Sequence, residues 1–370
     1  MRVLHLGLTS ILLVFALPGC AGFHTLPPSS YSQAAPAKVE RIAFDQDGDP
    51  YPRSNGADGL ELPPQPPNRN VAFALRTFYA TSQPPYDREA LLDKAADRIV
   101  TNMRASKARR VVFLIKGFNN SYAEFENEYA WIRDEVILAN QPEPLYFVQV
   151  YWDAIHRGRR TFPAPLAYFA DSLTYSNHAG DCGLRDVLRR LPPGTDVTFL
   201  THSRGAAVAL AAISDPKYDE GITNACQSSM PGHSLPKQLG DVRLVAFAPA
   251  IGDGHVRAGV DEARADIFAQ LDRFYVGYNP NDPAVTKKYF GINIPDRFGG
   301  DTRLGGNEGY VRHVDELFEK EKLRDSFQVV RFDRRSHDWR DYIALQDSAN
   351  CLLWAGKLVA GPSPGCTLSR

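Results

Sequence analysis

The stretch from Asp196 to Ala212, DVTFLTHSRGAAVALAA, decides how the rest of the chain is read. Its first part, Val197 to Thr201, is β-branched, aromatic and apolar, which is the composition of a buried strand. From Arg204 onward, Ala207, Val208, Ala211 and Ala212 recur at helical spacing. Ser203 therefore stands on a turn between a strand and a helix, with Gly205 just behind it. Such a turn lifts a serine hydroxyl above the sheet edge, and the helix N-terminus directs backbone N–H groups and positive dipole toward it. This is the pattern of a nucleophile elbow, G-x-S-x-G, with Thr201 in place of the first glycine.

Working outward, the same alternation repeats. Asn70–Tyr79 reads as a first strand and Asp87–Met103 as an amphipathic helix with acids early and Arg98 and Arg104 late. Arg110–Ile115 and Tyr146–Tyr151 are further strands, separated by a helix through Phe125, Tyr129, Trp131, Ile132 and Val136. A short helix is expected over Cys182–Leu191. Beyond the elbow come a strand Val242–Phe247, a helix Val260–Leu271, strands Arg273–Tyr278 and Ser326–Phe332, and a helix Asp338–Trp354. Strands alternating with helices in this way predict an α/β fold, a mostly parallel central sheet flanked by helices. Two aromatic or glycine-rich stretches, Arg157–Ala179 and Tyr289–Tyr310, are expected to form a cap or rim over the site.

In an open parallel sheet the site lies at the carboxyl ends of the strands. Asp282 follows the strand Arg273–Tyr278 within the turn Asn279-Pro280-Asn281-Asp282-Pro283, and His337 follows Ser326–Phe332. Asp253 is a competing acid, and His313 and His255 are competing histidines. Ser203, Asp282, His337 is the chain order of α/β-hydrolase triads. With the elbow and the loop Lys116-Gly117-Phe118-Asn119, residues 69–356 resemble the α/β-hydrolase superfamily in its esterase- and lipase-like branch. That branch carries His-Gly-Phe-Asn where this chain has Lys116. The resemblance implies a carboxylic ester hydrolase in which Ser203 attacks an acyl carbonyl, His337 moves the proton and Asp282 orients the imidazole. It also implies an oxyanion hole made by the backbone N–H groups of Phe118 and Arg204. Thr201 and Lys116 leave a second expectation open, an inactive hydrolase-like fold serving as a binding or assembly module. His202 reads as structural.

The ends of the chain point to export. Arg2 and the apolar run Val3–Leu17 read as a signal peptide of residues 1–19, too short for a membrane span, which needs about 20 apolar residues. Leu17-Pro18-Gly19-Cys20-Ala21 resembles a bacterial lipobox, making Cys20 the expected lipidation site and the membrane a partner through that anchor. Ala21 resembles the sorting residue of outer-membrane lipoproteins that face the periplasm. Residues 20–68, rich in proline and serine, read as a flexible tether, its Asp45-Gln46-Asp47-Gly48-Asp49 as a solvated loop, and residues 357–370 as a C-terminal tail. In an oxidising compartment four other cysteines allow three pairings, of which Cys182–Cys226 and Cys351–Cys366 are nearest in sequence. With 370 residues and a formal net charge of −1, the chain lacks the basic excess of a nucleic-acid binder. It contains no HExxH, Walker loop or GxGxxG, so neither metal nor cofactor is implied.

Overall fold

Strands that are apolar on both faces persist only when both faces are covered, and the central strands of this chain meet that condition. The computed structural model describes residues 39–45, 47–50, 87–118, 122–152, 154, 172, 174–216, 235, 238–252, 255–256, 264–265, 267–286, 303–362 and 366–369. Seven strands form one sheet: β1 (Val39–Ala43), β2 (Arg110–Ile115), β3 (Leu145–Tyr151), β4 (Asp196–His202), β5 (Val242–Phe247), β6 (Arg273–Tyr278) and β7 (Phe327–Arg331). Their order is β1-β3-β2-β4-β5-β6-β7 and every pairing is parallel. All six residues of β2 are buried, as are six of the seven in β4, which explains their near-continuous apolar sequence.

Helices cover the sheet: α1 (Arg88–Ser106), α2 (Tyr122–Trp131), α3 (Arg185–Arg189), α4 (Gly205–Ile213), α5 (Glu308–Lys320), α6 (Trp339–Ile343) and α7 (Gln346–Ala355). In α1 the inward stripe is Leu92, Ala95, Ala96, Ile99 and Met103. Asp87 caps it by accepting the Ala90 N–H, and left-handed Lys107 ends it. Wide turns (π-helix) at Ile132–Ile137 extend α2, and others at Ala179–Leu184 precede α3. Every residue of α4 is buried, so its alanines set how closely it packs.

The strand starts are tied by charge. Buried Arg110 reaches Asp196 at 3.0 Å and Asp241 at 2.8 Å, while Asp241 also binds Arg243 and Lys357. Opposite the cluster the strand ends lie level: Ile115 pairs with Thr201, His202 with Phe247, Phe247 with Gly277, and Tyr278 with Arg331. That register gathers the loops after β2, β4, β5, β6 and β7 at one edge.

Several expectations are corrected. The stretch read as a tether contains β1, whose Val39, Ile42 and Ala43 are buried against the sheet. Its proline-rich neighbours conceal so short an apolar run. Asp45, expected in solvent, is buried and accepts the N–H groups of Asp47 and Asp49, an Asx turn. Within the expected helix Val260–Leu271, Arg264–Ala265 pairs antiparallel with Asp215–Pro216, and the described helical turn is Ile267–Gln270. The final helix is broken into α6 and α7 at Ala344–Leu345, and α5 was not anticipated. The tail is packed: Leu358 and Val359 are buried, Ser369 pairs with Val329, and Cys351–Cys366 is a disulfide. Cys182 is also disulfide-bonded, and its expected partner Cys226 lies outside the described residues. So do the signal peptide with Cys20, the expected strand Asn70–Tyr79, most of Arg157–Ala179, and residues 287–302. No described helix is long and apolar enough to cross a membrane.

Candidate active site

The site begins with backbone geometry at the end of β4. Ser203 has φ 53°, in the left-handed region, and its N–H donates to Phe247 O at 2.9 Å. That strained turn is held because β4 is paired on both sides. Close approach explains the two flanking glycines. A Cβ on Gly205 would lie 2.2 Å from Ile115 O, and one on Gly117 would lie 2.6 Å from Ser203 Cβ and 2.9 Å from its Oγ. Thr201, where glycine is usual, is buried between Ile115 and Ala246 of the neighbouring strands, and its hydroxyl donates to Val245 O at 3.4 Å.

The structure brings Ser203, His337 and Asp282 together. His337 Nε2 lies 2.8 Å from Ser203 Oγ, and His337 Nδ1 lies 2.7 Å from Asp282 Oδ2. The imidazole is part-exposed at the strand edge, whereas the carboxylate is fully buried. Burial alone would raise the Asp282 carboxyl. His337, the Tyr342 hydroxyl and the Ala284 N–H outweigh it and hold the group below its ordinary value, hence ionised. His313 is half-buried on α5 beside Glu316, and His255 accepts the Gly252 N–H, so neither takes the place of His337. Asp253 lies outside the described residues.

His202 is buried and stacked on Trp339, with ring centroids 5.6 Å apart, and lies 4.8 Å from His337. Burial, then His337 and Lys116, push it well below the usual histidine range, so it is neutral beside the site. This agrees with its structural reading.

The loop after β2 is held by contacts that residue types alone do not reveal. The Lys116 N–H donates to Tyr129 Oη at 2.7 Å, Tyr129 donates on to Val150 O, and Trp152 Nε1–H donates to Lys116 O at 2.8 Å. Lys116 Nζ lies 2.5 Å from Glu128, both side chains being buried. Burial raises the Glu128 carboxyl and Lys116 only partly opposes it. The loop is thus anchored by a lysine–glutamate pair, and Gly117 is pressed against Ser203. The Arg204 nitrogen lies 3.0 Å from where Gly117 would carry a Cβ. Phe118 follows directly, half-buried against the core.

Asn279 and Tyr342 are two further site residues missed from sequence. Tyr342 donates to Asp282 Oδ2, and Asn279 joins the acid loop to the backbone of Arg334 in the histidine loop. The Asn-Pro-Asn-Asp-Pro turn signalled a loop but not this bracing role, and nothing in the local sequence marks Tyr342.

The family described as "Alpha/beta hydrolase of unknown function (DUF900)" matches residues 92–251, which hold Lys116, Gly117 and Ser203 but neither Asp282 nor His337. With the seven-stranded parallel sheet and its flanking helices, the fold is that of an α/β hydrolase. No match among curated proteins was found. Solved structures similar to this chain include the apo form of Thermogutta terrifontis esterase 2, at 14% identity and a TM-score of 0.33, covering 68% of this chain and 85% of that one. Another is LpqC, a poly(3-hydroxybutyrate) depolymerase from Bordetella parapertussis, at 16% identity and a TM-score of 0.35, covering 68% and 80%.

Proposed function

We propose that this chain is a serine hydrolase that cleaves carboxylic esters through an acyl-enzyme intermediate. The observation that carries the reading is the unbroken chain Ser203 Oγ–His337–Asp282, with contacts of 2.8 and 2.7 Å, on an elbow at positive φ. In the proposed reaction Ser203 Oγ bonds to the acyl carbon as its proton passes to His337 Nε2. Ionised Asp282 stabilises the imidazolium and keeps the other nitrogen protonated. The N–H groups of Arg204 and Phe118 receive the oxyanion, each worth about 2.7–4 kcal/mol in comparable sites. His337 then protonates the departing alkoxide, and a water molecule repeats the sequence to release the acid.

We further propose export and lipid attachment through Cys20, supported by the apolar run Val3–Leu17 and the Cys20-Ala21 boundary. The Cys351–Cys366 disulfide favours an oxidising compartment. Metabolic labelling with a fatty acid that persists in Cys20→Ser would remove this part.

The test of catalysis is labelling of the full-length protein by a fluorophosphonate, followed by a panel of chromogenic esters of graded acyl length. Ser203→Ala is expected to abolish labelling, and Ser203→Ala, His337→Ala and Asp282→Ala each to lower hydrolysis by about 10⁴-fold or more. An unlabelled wild-type serine, as an inactive binding module would have, or full hydrolysis by Ser203→Ala, defeats the proposal.

A further inference from the structure

One oxygen of the Asp282 carboxylate serves two side-chain donors at once. This atom, Oδ2, faces His337 Nδ1 at 2.7 Å and accepts the Tyr342 hydroxyl at 2.5 Å, while Oδ1 takes the N–H groups of Ala284 and Val285. Tyr342 is itself fixed. Its ring packs against Phe332 and Phe247, and its oxygen accepts Asn279 Nδ2–H at 3.0 Å. The same Asn279 amide donates to Arg334 O at 2.7 Å. Asp282, Asn279 and Tyr342 are all buried, so neither hydroxyl nor carboxylate can turn to water instead.

We infer that Tyr342 is a positioning residue for His337, drawing charge from the shared carboxylate oxygen and so limiting how tightly that oxygen holds the imidazolium. The inference deepens the hydrolase reading and rests on it for its kinetic consequence. A histidine in acyl transfer must both take a proton and surrender it, and too tight an ion pair with Asp282 would favour retention. A phenol on the same oxygen weakens the pair without removing it. Asn279 polarises the phenol further, since a hydroxyl that accepts a hydrogen bond donates a stronger one. Besides Asp282, the described groups beside His337 include Ser203, neutral His202 and Asp338, next in sequence, while Lys116, paired with Glu128, acts on His202. Around Tyr342 they include Asp282, His202 and, adjacent in sequence, Asp341, which itself lies 3.3 Å from Arg334. Tyr342→Phe changes none of them.

The experiment follows the imidazole of His337 by NMR in full-length protein carrying ¹⁵N-histidine, in wild type and in Tyr342→Phe. Its titration midpoint is expected to rise by about half a pH unit to one unit in the variant, and the acid limb of kcat/KM for a chromogenic ester to rise with it. Replacing Tyr342 by 3-fluorotyrosine, a more acidic donor of nearly the same shape, is expected to move the midpoint down. A tyrosine that only fills space would alter thermal stability or kcat and leave both midpoints in place, and that result overturns the inference. If Tyr342→Phe does not fold, the fluorinated residue decides: an unchanged or raised midpoint overturns the inference, and a lowered one upholds it. The NMR titration judges Tyr342 even if the wild type hydrolyses no ester, an outcome that would overturn the hydrolase proposal alone.

Discussion

Replacing Lys116 by methionine probes the departure from the usual loop histidine. The side chains of Lys116 and Glu128 are 4% and 9% exposed and meet at 2.5 Å. Methionine keeps the apolar stem but leaves the Glu128 carboxylate buried without its cation, a loss of about 3–5 kcal/mol for a broken buried pair. The penalty depends on pH. Burial already raises the Glu128 carboxyl, and without Lys116 that rise goes further, with Asp338 adding to it and Arg340 opposing it. An acid whose folded pKa lies above its unfolded value costs nothing while protonated in both states. The gap between wild type and variant is therefore small at about pH 4 and widens as pH rises toward neutrality. Urea unfolding followed by tryptophan fluorescence at several pH values measures it. Lys116→Met/Glu128→Leu should recover most of the loss, because no charge is then buried. Fluorophosphonate labelling should slow in the single variant, since Lys116 precedes the glycine pressed on Ser203. A loss below about 1 kcal/mol at pH 7 with no pH dependence would refute the reasoning.

Gly117→Ala places a methyl 2.6 Å from Ser203 Cβ, so labelling of Ser203 should fall by about tenfold or more while circular dichroism is unchanged. Asp241 offers a second pH test. Burial opposes its ionisation, but hydrogen bonds from Arg243, Lys357 and Arg110 hold it far below the usual carboxylate range. The stability it contributes is complete above the unfolded value and is lost as pH falls through the folded one. Asp241→Asn should thus cost about 1–3 kcal/mol at neutral pH, and the difference in denaturant midpoint should shrink below about pH 4. Cys366→Ser frees a disulfide of sequence separation 15 that holds the chain end on β7, with an expected loss of about 3 kcal/mol in unfolding free energy. A midpoint matching wild type would contradict that role.

Much of the fold was legible because strong signals are local. Arg110–Ile115, Val242–Phe247 and Arg273–Tyr278 are strands at the boundaries read from sequence, since each is a mostly apolar run bounded by polar or turn residues. The elbow was legible for the same reason, as strand, turn and small-residue helix are contiguous. Weak or interrupted patterns were misread. Val39–Ala43 is a short run inside a proline-rich stretch, and what makes it a strand is the edge of β3, over a hundred residues away.

Side-chain types and chain order thus specified a parallel α/β sheet with Ser203, Asp282 and His337 as candidates. Those are properties of residue chemistry and short-range periodicity. Which histidine faces the serine was decided by strand register, which levels the ends of β4, β6 and β7 and sets His337 rather than His255 or His313 at the elbow. The Lys116–Glu128 anchor, the Tyr342–Asp282 contact and the Asn279 brace were likewise decided in three dimensions. A hydrogen bond between residues 60 apart leaves no periodic trace in the chain and arises only when packing brings α6 against the acid loop.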